Sequence, residues 1–200
     1  MNKLNKIKKL LKENYNLKKF KYTYFPQTKK ELQELIKDLV KKYGINVDLN
    51  NIDTSNINDF SGVFGKFIGV VYFPQINFKG NVSEWDVSNG YDFNNLFSNC
   101  NNFNCDLSGW DVSNGINFSS MFYECHKFNS DLSQWNVFNG KYFNYMFYNC
   151  KSFTADLSKW NVKKAEIWRD FFTGSALEKY PKRIPEKFKE DDKSSFLSFL

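Results

Sequence analysis

The stretch Phe103-Asn104-Cys105-Asp106-Leu107-Ser108-Gly109-Trp110-Asp111-Val112-Ser113-Asn114-Gly115-Ile116-Asn117-Phe118-Ser119-Ser120-Met121-Phe122-Tyr123-Glu124-Cys125 decides the fold, because it recurs. Trp85, Trp110, Trp135 and Trp160 are each 25 residues apart, and Val87, Val112, Val137 and Val162 follow them by two. Phe97, Phe122, Phe147 and Phe172 keep the same period, as do Phe78, Phe103, Phe128 and Phe153, and Cys100, Cys125 and Cys150. A fixed period held at this many positions marks a repeat array, which has to be recognised before secondary structure is assigned. Residues 53–64 are an earlier, degenerate copy that matches 86–97 at a shift of 33, so eight residues are inserted near 65–74.

Within a unit, Phe93, Leu96, Phe97 and Cys100 fall at i, i+3, i+4 and i+7, the spacing of one face of a short helix. Asp92 and Asn117 stand where they would cap its start. Residues 106–112 mix apolar and polar side chains at short period and end in Ser-Asn-Gly, which reads as a strand followed by a turn. The expected fold is therefore an α/β repeat: a short right-handed leucine-rich-repeat-like solenoid, with one strand and one short helix per 25-residue unit. Trp85, Trp110, Trp135 and Trp160, with Phe97, Phe122 and Phe147, are its expected structural core. Thr28 to Glu31 is a capping box, and Leu32, Leu35, Ile36, Leu39, Val40 and Tyr43 trace one helical face until Gly44, giving an N-terminal capping helix over 28–43.

The block Phe-Asn-x-Asp-Leu-Ser-x-Trp-Asp-Val-Ser-Asn, closing in Met-Phe-x-x-Cys, resembles the BspA-like leucine-rich-repeat family of bacterial surface proteins. The lead-in at 25–32 and 48–55 and the ending at 171–178 are also similar, so the resemblance spans about 25–180. Gly90, Gly115 and Gly140 depart from it, standing where that family often has a β-branched residue. The resemblance implies a cell-surface or secreted protein that attaches to, or interacts with, a protein partner. The basic start has no uninterrupted apolar core and no small-residue cleavage site, which on its own implies the cytoplasm.

Three segments follow: a basic extension at 1–24, a capped array at 25–180 with its repeats over about 45–175, and a tail at 181–200. The first 30 residues carry ten Lys and one acid, so they hold more than the whole formal charge of +6. Residues 3–12 form a short basic amphipathic stretch, read mainly as solvated surface and secondarily as an anionic-membrane contact. A membrane-peripheral or intracellular scaffold directed by that stretch is the alternative function. The aromatic share of 19% excludes an intrinsically disordered chain, and no apolar run approaches the ~18–20 residues of a membrane-spanning helix.

No catalytic residue is assigned. There is no phosphate-binding Gly-rich loop and no Gly-x-Ser-x-Gly elbow, and His126, the only histidine, shares its column with Asn101 and Lys151. Cys100, Cys125 and Cys150 lie a full repeat apart, beyond the reach of disulfides, Cys105 shares a column of small residues with Gly80, Ser130 and Ala155, and no Cys-x-x-Cys pair suggests a metal. The Asp106, Asp131 and Asp156 column reads as a cation or basic-partner site or, preferably, as turn acceptors for backbone N–H groups. Asn89, Asn114 and Asn139 read as an amide ladder. No cofactor, metal or nucleic-acid partner is expected; a monomer with a protein partner is. Columns that hold one residue type serve the stack, so specificity belongs to columns that vary: Glu84, Gly109, Gln134 and Lys159, and the insertion with Val71 and Tyr72.

Overall fold

The computed structural model describes residues 22–65 and 77–189. The basic stretch 3–12, the insertion with Val71 and Tyr72, and the tail beyond 189 lie outside the described residues.

Two hydrogen-bonding habits build every unit. First, an Asp or Asn side-chain oxygen accepts the N–H two residues on: Asn81 from Ser83 (3.1 Å), Asp106 from Ser108 (2.9 Å), Asp131 from Ser133 (2.9 Å) and Asp156 from Ser158 (3.0 Å). Asp86, Asp111, Asn136 and Asn161 repeat the device one turn later, and Asp59, Asp92 and Asn117 at a third corner. Short polar side chains favour this local closure over regular structure. Second, carbonyls accept from the residue three on, as in Leu107 to Trp110 (3.1 Å), Val112 to Gly115 (2.8 Å), Phe118 to Met121 (3.2 Å), Phe122 to Cys125 (2.9 Å) and Cys125 to Phe128 (3.1 Å).

The expected α/β solenoid with a strand and a helix per unit is overturned. Among the described residues there is one α-helix, three short 3-10 turns and no strand, only six isolated parallel bridges such as Asp92 to Asn117 and Asn117 to Tyr142. Residues 106–112 cannot run extended because the turn bonds fold them twice. The helix expected at 93–100 fails for a different reason. Its N–H groups alternate between a local turn bond and the next unit: Phe93, Asn95, Phe97 and Asn99 donate to the carbonyls of Asn117, Ser119, Met121 and Tyr123 at 2.7–3.0 Å. An α-helix would need those N–H groups for itself. The alternation requires a left-handed backbone at Asn95 (φ 55°) and Asn99 (φ 63°), and at Ser120, Glu124, Tyr145 and Asn149 in the following copies. Asn tolerates that region best, and the other residues bear a local cost of about 1–2 kcal/mol each that the inter-unit bonds must offset.

Stacked copies put like rings on like rings. Phe93, Phe118 and Phe143 lie 5.4 and 5.3 Å apart between centroids, Phe97, Phe122 and Phe147 5.8 and 5.6 Å, and Phe103, Phe128 and Phe153 5.9 and 5.7 Å. Trp85 stacks on Trp110 at 6.5 Å and Trp135 on Trp160 at 6.4 Å, all four being buried. The indole N–H of each of these four donates to a backbone carbonyl of the unit before it: Trp85 to Leu49, Trp110 to Val82, Trp135 to Leu107 and Trp160 to Leu132, at 2.9–3.0 Å. The departure at Gly115 is steric. A Cβ there would come within 2.2 Å of the Phe118 ring, with equivalent conflicts at Gly90 and Gly140.

Helix α1 (Lys29–Tyr43) covers the first unit with Leu32, Ile36 and Leu39, and Thr28 is its N-cap, accepting from the Glu31 N–H at 3.2 Å. Lys29 reaches back to Asp59 and Ser61, and Gln33 to the Gly62 carbonyl. At the other end the 3-10 turns Ala176–Lys179, Pro181–Arg183 and Glu186–Lys189 bury Leu177, Ile184 and Phe188, the last 4.8 Å from the Phe171 ring. Leu157 donates to the Arg183 carbonyl at 2.8 Å, where the equivalent Leu107 N–H goes to the Ser130 hydroxyl of the next unit, so this segment supplies an acceptor in place of a further copy.

Truncating Trp135 to Ala should cost ~3–5 kcal/mol, measured by chemical denaturation, because it opens a core cavity and removes one of the two donors on the Leu107 carbonyl. Trp135→Phe keeps most of the ring and should cost a smaller ~1–3 kcal/mol, the share due to the lost N–H.

A second outcome concerns pH. Burial, with the Asp59 carboxylate, pushes the Asp92 carboxyl above its usual range despite the Asn94 N–H it accepts. Folded Asp92 therefore keeps its proton to higher pH than the unfolded chain, and its contribution is lost as pH rises through the folded value. Asn serves equally as turn acceptor at Asn117. Asp92→Asn should raise the melting temperature at pH 7 and leave it unchanged at pH 3; a lower melting temperature at pH 7 would overturn the assignment.

Candidate functional site

The exposed, varying positions are the tips and corners of the turns, since the scaffold consumes the rest. Glu84, Gly109, Gln134 and Lys159 are all exposed, each three residues after an Asn or Asp turn acceptor. The row passes from an acid through neutral residues to a base. The stack aligns it through Ser83, Ser108, Ser133 and Ser158, which fill the turn positions beside it. The remaining sequence-assigned partner residues, Val71 and Tyr72, fall outside the described residues.

The structure adds a corner that sequence reasoning missed. Tyr91 (46% exposed), Ile116 (38%) and Phe138 (38%) are large apolar side chains beside the Asn-Gly turns, and Ile167 (41%) follows the equivalent turn of the last copy. The backbone of this corner is tied in series: Ile116 N–H donates to Tyr91 (2.8 Å), Lys141 to Ile116 (2.8 Å) and Glu166 to Lys141 (2.8 Å). Lys164 lies over the Phe138 ring at 4.2 Å, and Lys141 pairs with Glu166 at 2.7 Å. The signal was in the columns: 91, 116, 141 and 166 read Tyr, Ile, Lys, Glu, and 88, 113, 138 and 163 read Ser, Ser, Phe, Lys.

A cleft of about 680 Å³ crosses four units, lined chiefly by Tyr123, Tyr145 and Tyr148 with Asn95, Ser98 and Ser120. Tyr123 and Tyr148 stack at 5.0 Å with planes 7° apart, and Tyr145 meets Tyr148 edge-on at 6.0 Å. Its Tyr side chains sit in columns otherwise filled by Ser, Asn, Asp or Thr, a sequence signal that went unused.

His126 has a positioned carboxylate after all: its Nε2 is 2.6 Å from Glu124, whose other oxygen accepts from Asn149 at 2.7 Å. The neighbouring thiol cannot join them, since Cys125 is fully buried with its Sγ 3.0 Å from the Phe97 carbonyl. Cys150 makes the same contact with Phe122. The Asp106, Asp131 and Asp156 carboxylates serve the turns, and Ser108 and Ser158 hold Asp106 and Asp156 below the usual carboxylate range. No group of three or more metal-ligating side chains is brought together among the described residues. Asn89, Asn114 and Asn139 form no amide-to-amide ladder; each donates to the Ser carbonyl of the preceding unit, at 2.8–2.9 Å.

A family model described as a Mycoplasma protein of unknown function, DUF285, matches residues 66–182, more than half of the chain and all four Trp repeats. The chain belongs to the DUF285 family. DUF285 is related to the BspA-like repeat proteins, although the match does not carry a leucine-rich-repeat motif. No match is found among curated proteins or among solved structures. In this DUF285 protein no helix among the described residues is long and apolar enough to cross a membrane.

All four cysteines are free thiols, three of them in the core. Burial pushes the Cys100 thiol up to about 12 and raises Cys125 and Cys150 as well. Because the thiolate is the reactive form, native protein at pH 8 should release at most one equivalent to a disulfide reagent, from half-buried Cys105. Denatured, non-reduced protein should release four.

Proposed function

We propose that this DUF285 protein is a non-enzymatic binding protein that presents its turn corners to a protein partner, in an attachment or interaction role. The observation that carries the reading is the exposure of four large apolar side chains, Tyr91, Ile116, Phe138 and Ile167, in columns that vary from copy to copy. Exposed aromatic and aliphatic groups gathered on a rigid frame suit a protein interface, where aromatic anchors carry much of the energy. The charged Glu84 to Lys159 row supplies a gradient that would orient the partner. Attachment at a surface is supported by the BspA-like resemblance alone. The reading assigns catalysis to no residue, His126 and Glu124 included.

A photo-crosslinking residue at position 116, compared with one at exposed Lys37 of α1, tests this in cells of the source organism. Position 116 should give a discrete protein adduct that position 37 does not. Combining Tyr91→Ser with Phe138→Ser should abolish that adduct and leave the melting temperature within about 2 °C of the parent, since exposed positions contribute little to stability. Identical adducts at both positions, or an adduct that survives the double change, would sink the proposal.

A further inference from the structure

The geometry points to the tyrosine-lined cleft as a binding site for a neutral saccharide, a short chain of pyranose rings. The argument begins with the register. Position 98 and its copies read Ser98, Tyr123, Tyr148 and Thr173, and the backbone keeps them stacked through Asn99 to Tyr123 (2.7 Å) and Glu124 to Tyr148 (2.9 Å). One residue inward, Phe97, Phe122 and Phe147 continue the ring column through the same three units. The outer column is therefore a ring stack that stops at Tyr123, with the small Ser98 in the next slot. Ser98 and Tyr123 both line the cleft, which continues past Tyr148 to Thr173.

The lining describes what would fill the slot. Tyr123 presents a flat apolar surface, and Asn95, Ser98 and Ser120 surround the space with amide and hydroxyl groups. One aromatic face with several neutral donors and acceptors matches a pyranose, whose C–H face packs on a ring while its hydroxyls exchange hydrogen bonds around the edge. The volume lies within the ~300–1,000 Å³ of small-ligand sites.

Charge removes the rival ligands. Among the described residues no Lys or Arg lines the cleft, and the adjacent Arg169 is engaged by Asp170, so none of them is placed to neutralise a phosphate. Asp170 is the one carboxylate among the described lining residues, and both its oxygens are engaged, by the Arg169 Nε–H at 3.2 Å and the Thr173 hydroxyl at 3.0 Å. Nearby Glu124 is occupied by His126 and Asn149. An ammonium ligand would therefore find no spare negative charge for the aromatic contact it prefers.

The full chain should be applied to an array of immobilised neutral and acidic oligosaccharides of two to four rings. Saturation-transfer NMR with the best neutral binder would then read the contact. Binding to at least one neutral glycan is expected, with the strongest transfer to protons on one face of a ring. Tyr123→Ala should weaken it at least tenfold, and Tyr123→Phe should keep it within threefold. Ser120→Glu, at a backbone position whose copies Asn95, Tyr145 and Asp170 share its left-handed conformation with longer side chains, should also weaken it at least tenfold and serves if Tyr123→Ala does not fold. The Tyr91→Ser and Phe138→Ser variant should bind the glycan unchanged, which separates this site from the protein-binding corner. No neutral glycan bound, binding indifferent to Tyr123→Ala and Ser120→Glu, or binding confined to choline or nucleotide controls would each overturn the assignment.

Discussion

The indole N–H of each repeat tryptophan needs an acceptor once the ring is buried, and the carbonyl that serves it belongs to the unit before it. That requirement couples neighbouring copies more firmly than packing alone. A buried donor without a partner costs about 1–3 kcal/mol, so a copy displaced by one residue loses both the bond and the ring stack. With Trp110 on the Val82 carbonyl and Trp135 on the Leu107 carbonyl, the depth of every unit is set, and the Phe columns fall into alignment. The glycines at 90, 115 and 140 follow from the same constraint, because the Phe three residues on is already seated against their backbone.

This division of labour explains why the surface is where the copies differ. Inside, the chain spends Asp, Asn and Ser side chains on closing turns and alternate N–H groups on the next unit. What remains facing outward is the second residue of a turn or the first after a glycine, and there side chains change from copy to copy. The apolar corner and the tyrosine cleft both arise in this way. They occupy different columns of one scaffold, so each can be altered without disturbing the other.

The period, the buried Trp and Phe columns and helix α1 were legible because each rests on a pattern within the chain. The local structure of the unit was not. Phe93, Leu96, Phe97 and Cys100 satisfy a helical spacing, yet a chain of three-residue turns reverses often enough to bury the same four positions. Sequence spacing reports which residues go inside and is silent on where their N–H groups point. Asn95 and Asn99, four apart at the positions that turn left-handed, were the available clue. The cleft escaped notice because its lining varies from copy to copy, with a serine where two later copies have tyrosine. That becomes visible only when the units are laid over one another.

The pattern of inter-unit bonds recurs every 25 residues, and this has a consequence for how such a chain can change its length. Removing or duplicating 25 residues restores each donor to an equivalent acceptor, whereas a shift of one residue misaligns the tryptophans, the turn acceptors and the left-handed positions together. Growth of the molecule is thus quantised. A gene for this array can lengthen or shorten its product by recombination between copies and still encode a closed core, while single-codon insertions within a unit are confined to the few places, such as the segment after Gly65, where the period already breaks.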